Sequence, residues 1–316
     1  MGSSLTLPGH ATQTARKSRL SRRGKENLIG YLFLLPWLLG LFIFTLGPMV
    51  ASAYLSFTNY DLLTAPEWNG LFNYERLIQR DNRYAAAVGV TARYVLLSVP
   101  LQLVFALAVA AVLNRGLRGL TLYRAAYYLP SLLGGSVAIA ILWKQVFGLE
   151  GLFNQFLALF GVQAISWIGT PSTALCTLIV LRIWQFGSPM LIFLAGLKQI
   201  PQELYEAAAI DGANALAKFF RITLPLLTPI LFFNLIMQMI SAFQAFTPAF
   251  IISGGGGGPA DAVLFYTLYL YQQGFSNFRM GYASAMAWIL LVIIGIFTAV
   301  AFLSSRYWVY YEDERR

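Results

Sequence analysis

Few residues of this 316-residue chain are equipped for bond chemistry. There is one histidine, His10, in a polar N-terminal stretch, and one cysteine, Cys176, inside an apolar segment. Such an inventory supplies no His/Cys metal cluster and no Ser/His/Asp arrangement, and it allows no intrachain disulfide. Cys176 reads as an inert core residue. Gly254 to Gly258 followed by Pro259 has the glycine content of a phosphate-binding loop, yet no Lys-Ser/Thr follows it, so a nucleotide would lack its cationic partner. Two readings of the run stay open: a flexible linker, or a loop whose Gly254, Gly255, Gly256 and Pro259 meet another protein.

The remaining candidates are polar groups inside apolar segments, where each is expensive. A charge at the centre of a membrane span costs roughly 2.5–3.5 kcal/mol on insertion scales. Arg93 and Lys144 lie near span ends, where long stems snorkel to the interface. Arg182 lies nine residues into its segment and must face the bundle interior, beside Gln185. Asn234, Gln238 and Ser241 follow at i, i+4 and i+7 on one helix face, with Gln244 at its margin. Hydrocarbon offers them no partners, so the stripe meets either a neighbouring helix or a watered passage. In the second reading Asn234, Gln238 and Gln244 line a solute pathway with Ser241 alongside. Arg182 and Gln185 then add polar contacts, and Trp143, Trp184, Phe243 or Phe246 offer flat faces to a sugar. No Asp or Glu stands mid-span, which argues against a proton- or sodium-coupled secondary carrier, the alternative class.

The elements that must hold these residues follow from composition. With 58% hydrophobic residues, 11% charged and a mean hydropathy of +0.64, against about 25% charged in soluble domains, this is an all-α polytopic membrane protein. About 20 apolar residues cross a bilayer. Six spans are predicted: Leu28 to Phe57, bent by Pro36 and Pro48, then Ala86 to Leu113, Tyr123 to Phe147, Thr173 to Leu197, Leu226 to Ile252 and Tyr282 to Leu303. Residues 1–27 read as a disordered basic tail, 28–305 as the membrane domain with its core over 85–303, and 306–316 as a second tail. Six of the 22 Lys and Arg fall between Arg16 and Lys25, an anchor facing anionic lipid rather than a nucleic-acid site. Fifteen basic residues on the two tails and their side, against Arg76, Arg80, Arg83 and Arg279 opposite, place both termini in the cytoplasm.

On that same side lies a polar interruption, residues 198–225. Pro201 suits a first helical position, Glu203 and Glu206 sit where the helix dipole favours carboxylates, and Gly212 can take the left-handed turn that closes the helix. A second short helix, with Leu216, Phe219 and Phe220 on one side, would then run to a break at Pro225.

Glu206-Ala207-Ala208, three residues, Gly212, nine residues, Ile222, one residue, Leu224-Pro225 resembles the EAA loop of permease subunits of binding-protein-dependent ABC importers. Arg124 to Pro130, Leu142-Trp143, Gly151 to Asn154, Ile183-Trp184, Leu194 to Leu197, Ile200-Pro201 and Tyr282 to Ala285 look like its carbohydrate-uptake branch, similar to maltose and glycerol-phosphate permeases. Val90 departs from it, since many members have Asn there. The resemblance covers residues 28 to 304. It implies a type I importer permease fold in the cell (inner) membrane and no bond chemistry. The loop, through Glu203, Glu206, Ala207, Ala208, Asp211, Gly212, Leu224 and Pro225, would couple to an ATPase subunit. The implied partners are a second homologous permease, two ATPase subunits that hold ATP and Mg, and an extracytoplasmic solute-binding protein that delivers a sugar and meets the Gly254 to Pro259 loop. No cofactor or metal is expected in this chain.

Overall fold

The computed structural model describes residues 22–115 and 119–310. The remainder of the tails read from sequence, 1–21 and 311–316, lies outside them. Residues 22–27 are already helical, where a disordered tail was expected.

The chain divides after Ser52. Up to that point it is the greater part of one apolar helix, the candidate span Ile29–Ser56, whose apolar stretch buries nothing. Pro36 sits inside it without ending it. Ahead of Pro48 the helix widens into a π turn, Phe42–Leu46, in which the Gly47 N–H reaches back to Phe42 O. The wider turn relieves the clash between a proline ring and the carbonyl four residues earlier.

In the second unit, three stretches pass as single spans, Asn82–Leu113, Ala215–Ser253 and Met280–Trp308, of which the second is interrupted between Phe243 and Thr247. Two further spans are bent pairs, Thr121–Leu133 with Val137–Val146 at 96° and Pro171–Trp184 with Gly187–Leu197 at 41°. Counting each pair as one broken span gives the six expected. The described strands amount to one two-residue pair, Thr58–Asn59 against Glu67–Trp68.

Asn82–Leu113 is the central post. It packs against both halves of the Pro171 to Leu197 span and against Leu224–Phe243. Ala87, Ala106 and Ala110 are wholly buried along it, small residues that let helix backbones approach closely where lipid supplies no hydrophobic drive. Gly196 serves the same end, since a Cβ there would lie 2.2 Å from Ile230 Cδ1.

The breaks were not foreseen in the sequence reading, and their causes are local. Pro189 is four residues after Gln185, and Pro248 four after Gln244. In each pair the proline has no N–H for the glutamine carbonyl and its ring would strike it. The helices accordingly end at Trp184 and Phe243 and resume at Gly187 and Thr247. The third break follows Gly134, where a Cβ would lie 2.3 Å from Gln185 Cγ. Ser136 then caps the new helix, accepting from Ile139 N at 3.3 Å.

Pro225, in contrast, breaks nothing. A π turn over Phe219–Thr223, closed by Leu224 N–H to Phe219 O, absorbs it as at Pro48, and the helical run continues from Ala215 to Phe243. Cys176 is exposed, not a core residue as expected, because it faces away from Ala174 and Thr177, which the bundle buries.

Candidate functional sites

All three breaks in the second unit meet at one cleft of about 230 Å³, lined by Tyr94, Gly135, Arg182, Gln185, Ser241, Gln244, Phe246 and their neighbours. The broken ends hold one another. Gln185 O, freed from its helix by Pro189, accepts Gln102 Nε2 and Ser131 Oγ, each at 2.9 Å. Its side-chain Nε2 donates to Gly134 O at 3.0 Å, and Ser188 N donates to Ser131 Oγ at 2.9 Å. The Gln185 and Gly134 carbonyls released at the breaks are thus satisfied by neighbouring side chains, as buried polar groups require.

Arg182 sits at the centre, 8% exposed. Its Nε donates to Gln102 Oε1 at 3.0 Å and Nη1 to Ser241 Oγ at 3.2 Å. Nη2 donates to Gln238 O at 3.1 Å and Gln238 Oε1 at 2.8 Å. Hydrogen bonds to a charged group contribute roughly 1.5–3 kcal/mol each, so this set offsets the insertion cost of the charge without a carboxylate. Gln238 and Ser241, named from their helical spacing, therefore hold the arginine, while Gln244 is exposed to the cleft.

The stripe does not act as one face. Asn234 is fully buried and donates to Ile230 O of its own helix at 3.2 Å, and its Oδ1 has no partner. Trp143 and Trp184 pack on each other with centroids 5.9 Å apart, and Trp143 Nε1 donates to Thr177 O at 3.0 Å. Phe243 packs on Phe297, leaving Phe246 as the expected aromatic residue that lines the cleft. Gln102, Ser131 and Tyr94 were missed. Gln102 stands alone as a polar residue in a long apolar run, and the repeated Gln-x-x-x-Pro spacing at 185 and 244 was a legible signal for the site.

At one end of the Ala215–Ser253 run is the knob. Its helix is Gln202–Ile210, with Pro201 at the N-cap (φ −59, ψ 133) rather than inside the first turn. Gly212 adopts φ +77, as expected. Asp211 N donates to Ala207 O at 3.1 Å and Ala213 N to Ala208 O at 2.9 Å, which ties off the last carbonyls. Asn214 caps the next helix by accepting from Ala217 N at 2.8 Å. Tyr205 and Thr223 share a hydroxyl contact of 2.8 Å that fastens the knob to the root of the span. Glu203, Glu206, Ala207, Asp211 and Gly212 are exposed, and Ala208, Leu224 and Pro225 are half-buried. Ile210 is 88% exposed, with Leu216 at 67% and Phe220 at 57%. Phe219 parts from them and packs half-buried on the core.

At the other end the glycine-rich run forms a folded turn, not a flexible linker. Gly254, Gly255, Gly257 and Gly258 all have positive φ. Gly255 O accepts Gln272 Nε2 at 2.6 Å. Arg83 pairs with Asp261 at 2.8 and 2.9 Å and donates to Gly256 O at 3.0 Å. Next to it Asp81 caps the central post through Tyr84 N at 2.9 Å and accepts Tyr269 OH at 2.7 Å and Tyr282 OH at 2.5 Å. Burial alone would raise its pKa, but these donors outweigh it and leave Asp81 below the ordinary carboxylate value.

Residues 94–310 match the family described as the binding-protein-dependent transport system inner membrane component. A probable ABC transporter permease protein, YesP, of Bacillus subtilis is 53% identical over 309 residues, covering 98% of this chain and 99% of its own. The trehalose/maltose transport system permease protein MalF of Thermococcus litoralis is 34% identical, covering 90% and 95%. Among solved structures, a chain of the bacterial alginate ABC transporter superposes with a TM-score of 0.78 at 21% identity, covering 91% and 97%, a likeness of fold. Well over half of the chain is matched by the family and nearly all of it by a relative, so this chain belongs to the inner-membrane permease subunits of binding-protein-dependent ABC transporters and is not an enzyme.

Proposed function

We propose that this permease forms the passage for a sugar together with a second, homologous permease, driven by two ATPase subunits that bind ATP and Mg and supplied by an extracytoplasmic solute-binding protein. The observation that carries the reading is the convergence of three broken spans on one polar cleft beside the buried Arg182. Discontinuous helices near the bilayer midplane are where transporters place their solute sites. Relatives named for trehalose/maltose, multiple sugars and lactose support a sugar as the solute.

The knob is the coupling element. Glu203, Glu206, Asp211 and Gly212 stand in water beside exposed Ile210, a mixture suited to docking against the ATPase subunit, with Leu224 and Pro225 rooting it in the span. Motion of the ATPase pair passes through this contact and rocks the bundle around the cleft, where Gln238, Ser241, Gln244, Arg182 and Gln185 handle the solute and Trp143, Trp184 and Asn234 pack the wall. Gly254, Gly255, Gly256 and Pro259 meet the binding protein outside, and both termini lie in the cytoplasm. In a Cys176→Ser background, single cysteines at positions 3, 256 and 314 test the arrangement. An impermeant thiol reagent on intact cells should label only position 256, and labelling at 3 or 314 would contradict it. A tagged chain should also co-purify an ATPase subunit, and Glu206→Lys should release it.

A further inference from the structure

We propose that the cleft at Arg182 receives a carboxylate, so that the solute is an acidic, uronate-type sugar or oligosaccharide and not a neutral one. The proposal rests on reading the cleft as the passage.

The six spans contain no Asp or Glu. Arg182 is therefore a buried cation whose partners, Gln102, Gln238 and Ser241, are all neutral. They use four of the five guanidinium N–H groups and leave one on Nη1, on a residue that lines the cleft. These neutral acceptors hold the arginine in place but bring no negative charge, so its positive charge has no counter-ion among the described residues. Two further donors stand on the same wall. Ser241 accepts from Nη1 and so keeps its own hydroxyl proton, and the Gln244 amide, exposed to the cleft, forms no hydrogen bond among the described residues.

Three donors around one uncompensated positive charge match the two oxygens and single negative charge of a carboxylate. A neutral hydroxyl would leave the charge unbalanced, and a phosphate monoester, with nearly two negative charges, would exceed it. Phe246, on the same lining, offers an apolar ring to the face of the sugar. The Gln185 and Gln244 side-chain oxygens on the same wall can accept from the hydroxyls of the sugar that carries the carboxylate.

The test uses the full chain in its membrane complex, with Cys176→Ser and Gln244→Cys, labelled by a hydrophilic maleimide while trigalacturonate or its methyl ester is present. The acid should slow labelling about tenfold more than the ester. Arg182→Gln should abolish that difference, Arg182→Lys should keep part of it, and Ser241→Asp, which neutralises the charge without removing the arginine, should abolish it too. Equal protection by acid and ester, or a preference for acid that survives both Arg182→Gln and Ser241→Asp, would overturn the carboxylate assignment. A thiol at 244 that the reagent never reaches would instead show that the cleft is not watered, and the reading of the passage would fall with it.

Discussion

The knob and the cleft are both interruptions of apolar helix, but they are held in opposite ways. In the cleft most polar side chains are bound by another span: Gln185 alone ties its own span to two others, to the central post through Gln102 and to the Thr121 to Val146 span through Ser131 and Gly134. In the knob the bonds are local, within Ala207 to Ala217, and one hydroxyl contact, Tyr205 to Thr223, reaches its base. Its carboxylates form no ion pair among the described residues, and Ile210 projects into open space. A region whose groups satisfy one another has no need of a partner to exist, whereas one that leaves apolar and charged groups unpaired is shaped for a surface that this chain does not supply. The glycines divide the same way. Gly212 is needed for its positive φ with nothing near it, and Gly134 for the space that Gln185 fills.

The contrast is broken most severely at Gly212. Proline cannot adopt φ +77, so Gly212→Pro must open the turn. Import should fall by about two orders of magnitude while the thermal unfolding of the bundle, followed in detergent, stays near that of the parent. In the cleft the order reverses, with stability taking the loss first. Gly134→Ala drives a methyl into the Gln185 side chain and should cost about 1–3 kcal/mol in denaturant or thermal unfolding, whereas Gly135→Ala, with nothing within 4 Å, should stay within about 0.5 kcal/mol. Equal losses at 134 and 135 would show that the broken ends are not interlocked. Ile210→Ser sharpens the account of the knob: stability should change by less than about 0.5 kcal/mol, but retention of the ATPase subunit on a tagged chain should weaken severalfold.

The smallest effect concerns the tied end of the molecule. Asp81 has its pKa lowered in the folded state by Tyr282, Tyr84 N and Tyr269. Its contribution to stability is fully present above the ordinary carboxylate value and is lost as pH falls through the lowered one. Unfolding followed from neutral to acid pH should show that loss, and Asp81→Asn should flatten it.

Much of this was legible in the sequence. The EAA spacing located the knob and Gly212 its turn, because a turn that requires positive φ is a one-residue signal. Arg182 announced an interior position, because a charge mid-span has nowhere else to go. The outcome at Pro225 and at Pro189 was harder to read, since a proline can be absorbed by a π turn or can end a helix, and only the surrounding packing decides. At 185 the glutamine carbonyl found side-chain partners, and at both 185 and 244 the helices broke. At Pro225 the chain is half-buried within one continuous helix and the widened turn won. Asn234 shared the right spacing with Gln238, but a period of 3.6 residues assigns a face only relative to neighbours that the sequence does not place. The clamp of Arg83 on Asp261 joins residues 178 apart, a pairing that no local pattern carries.

The central claim is that solute passes the cleft where the broken spans meet, and one pair of cysteines tests it directly. With Cys176→Ser, Gln244→Cys should react with a hydrophilic maleimide, and full modification should stop import. Asn234→Cys, three turns deeper in the packing and wholly buried, should resist the reagent and keep transporting. Import that continues with position 244 fully modified would contradict the account.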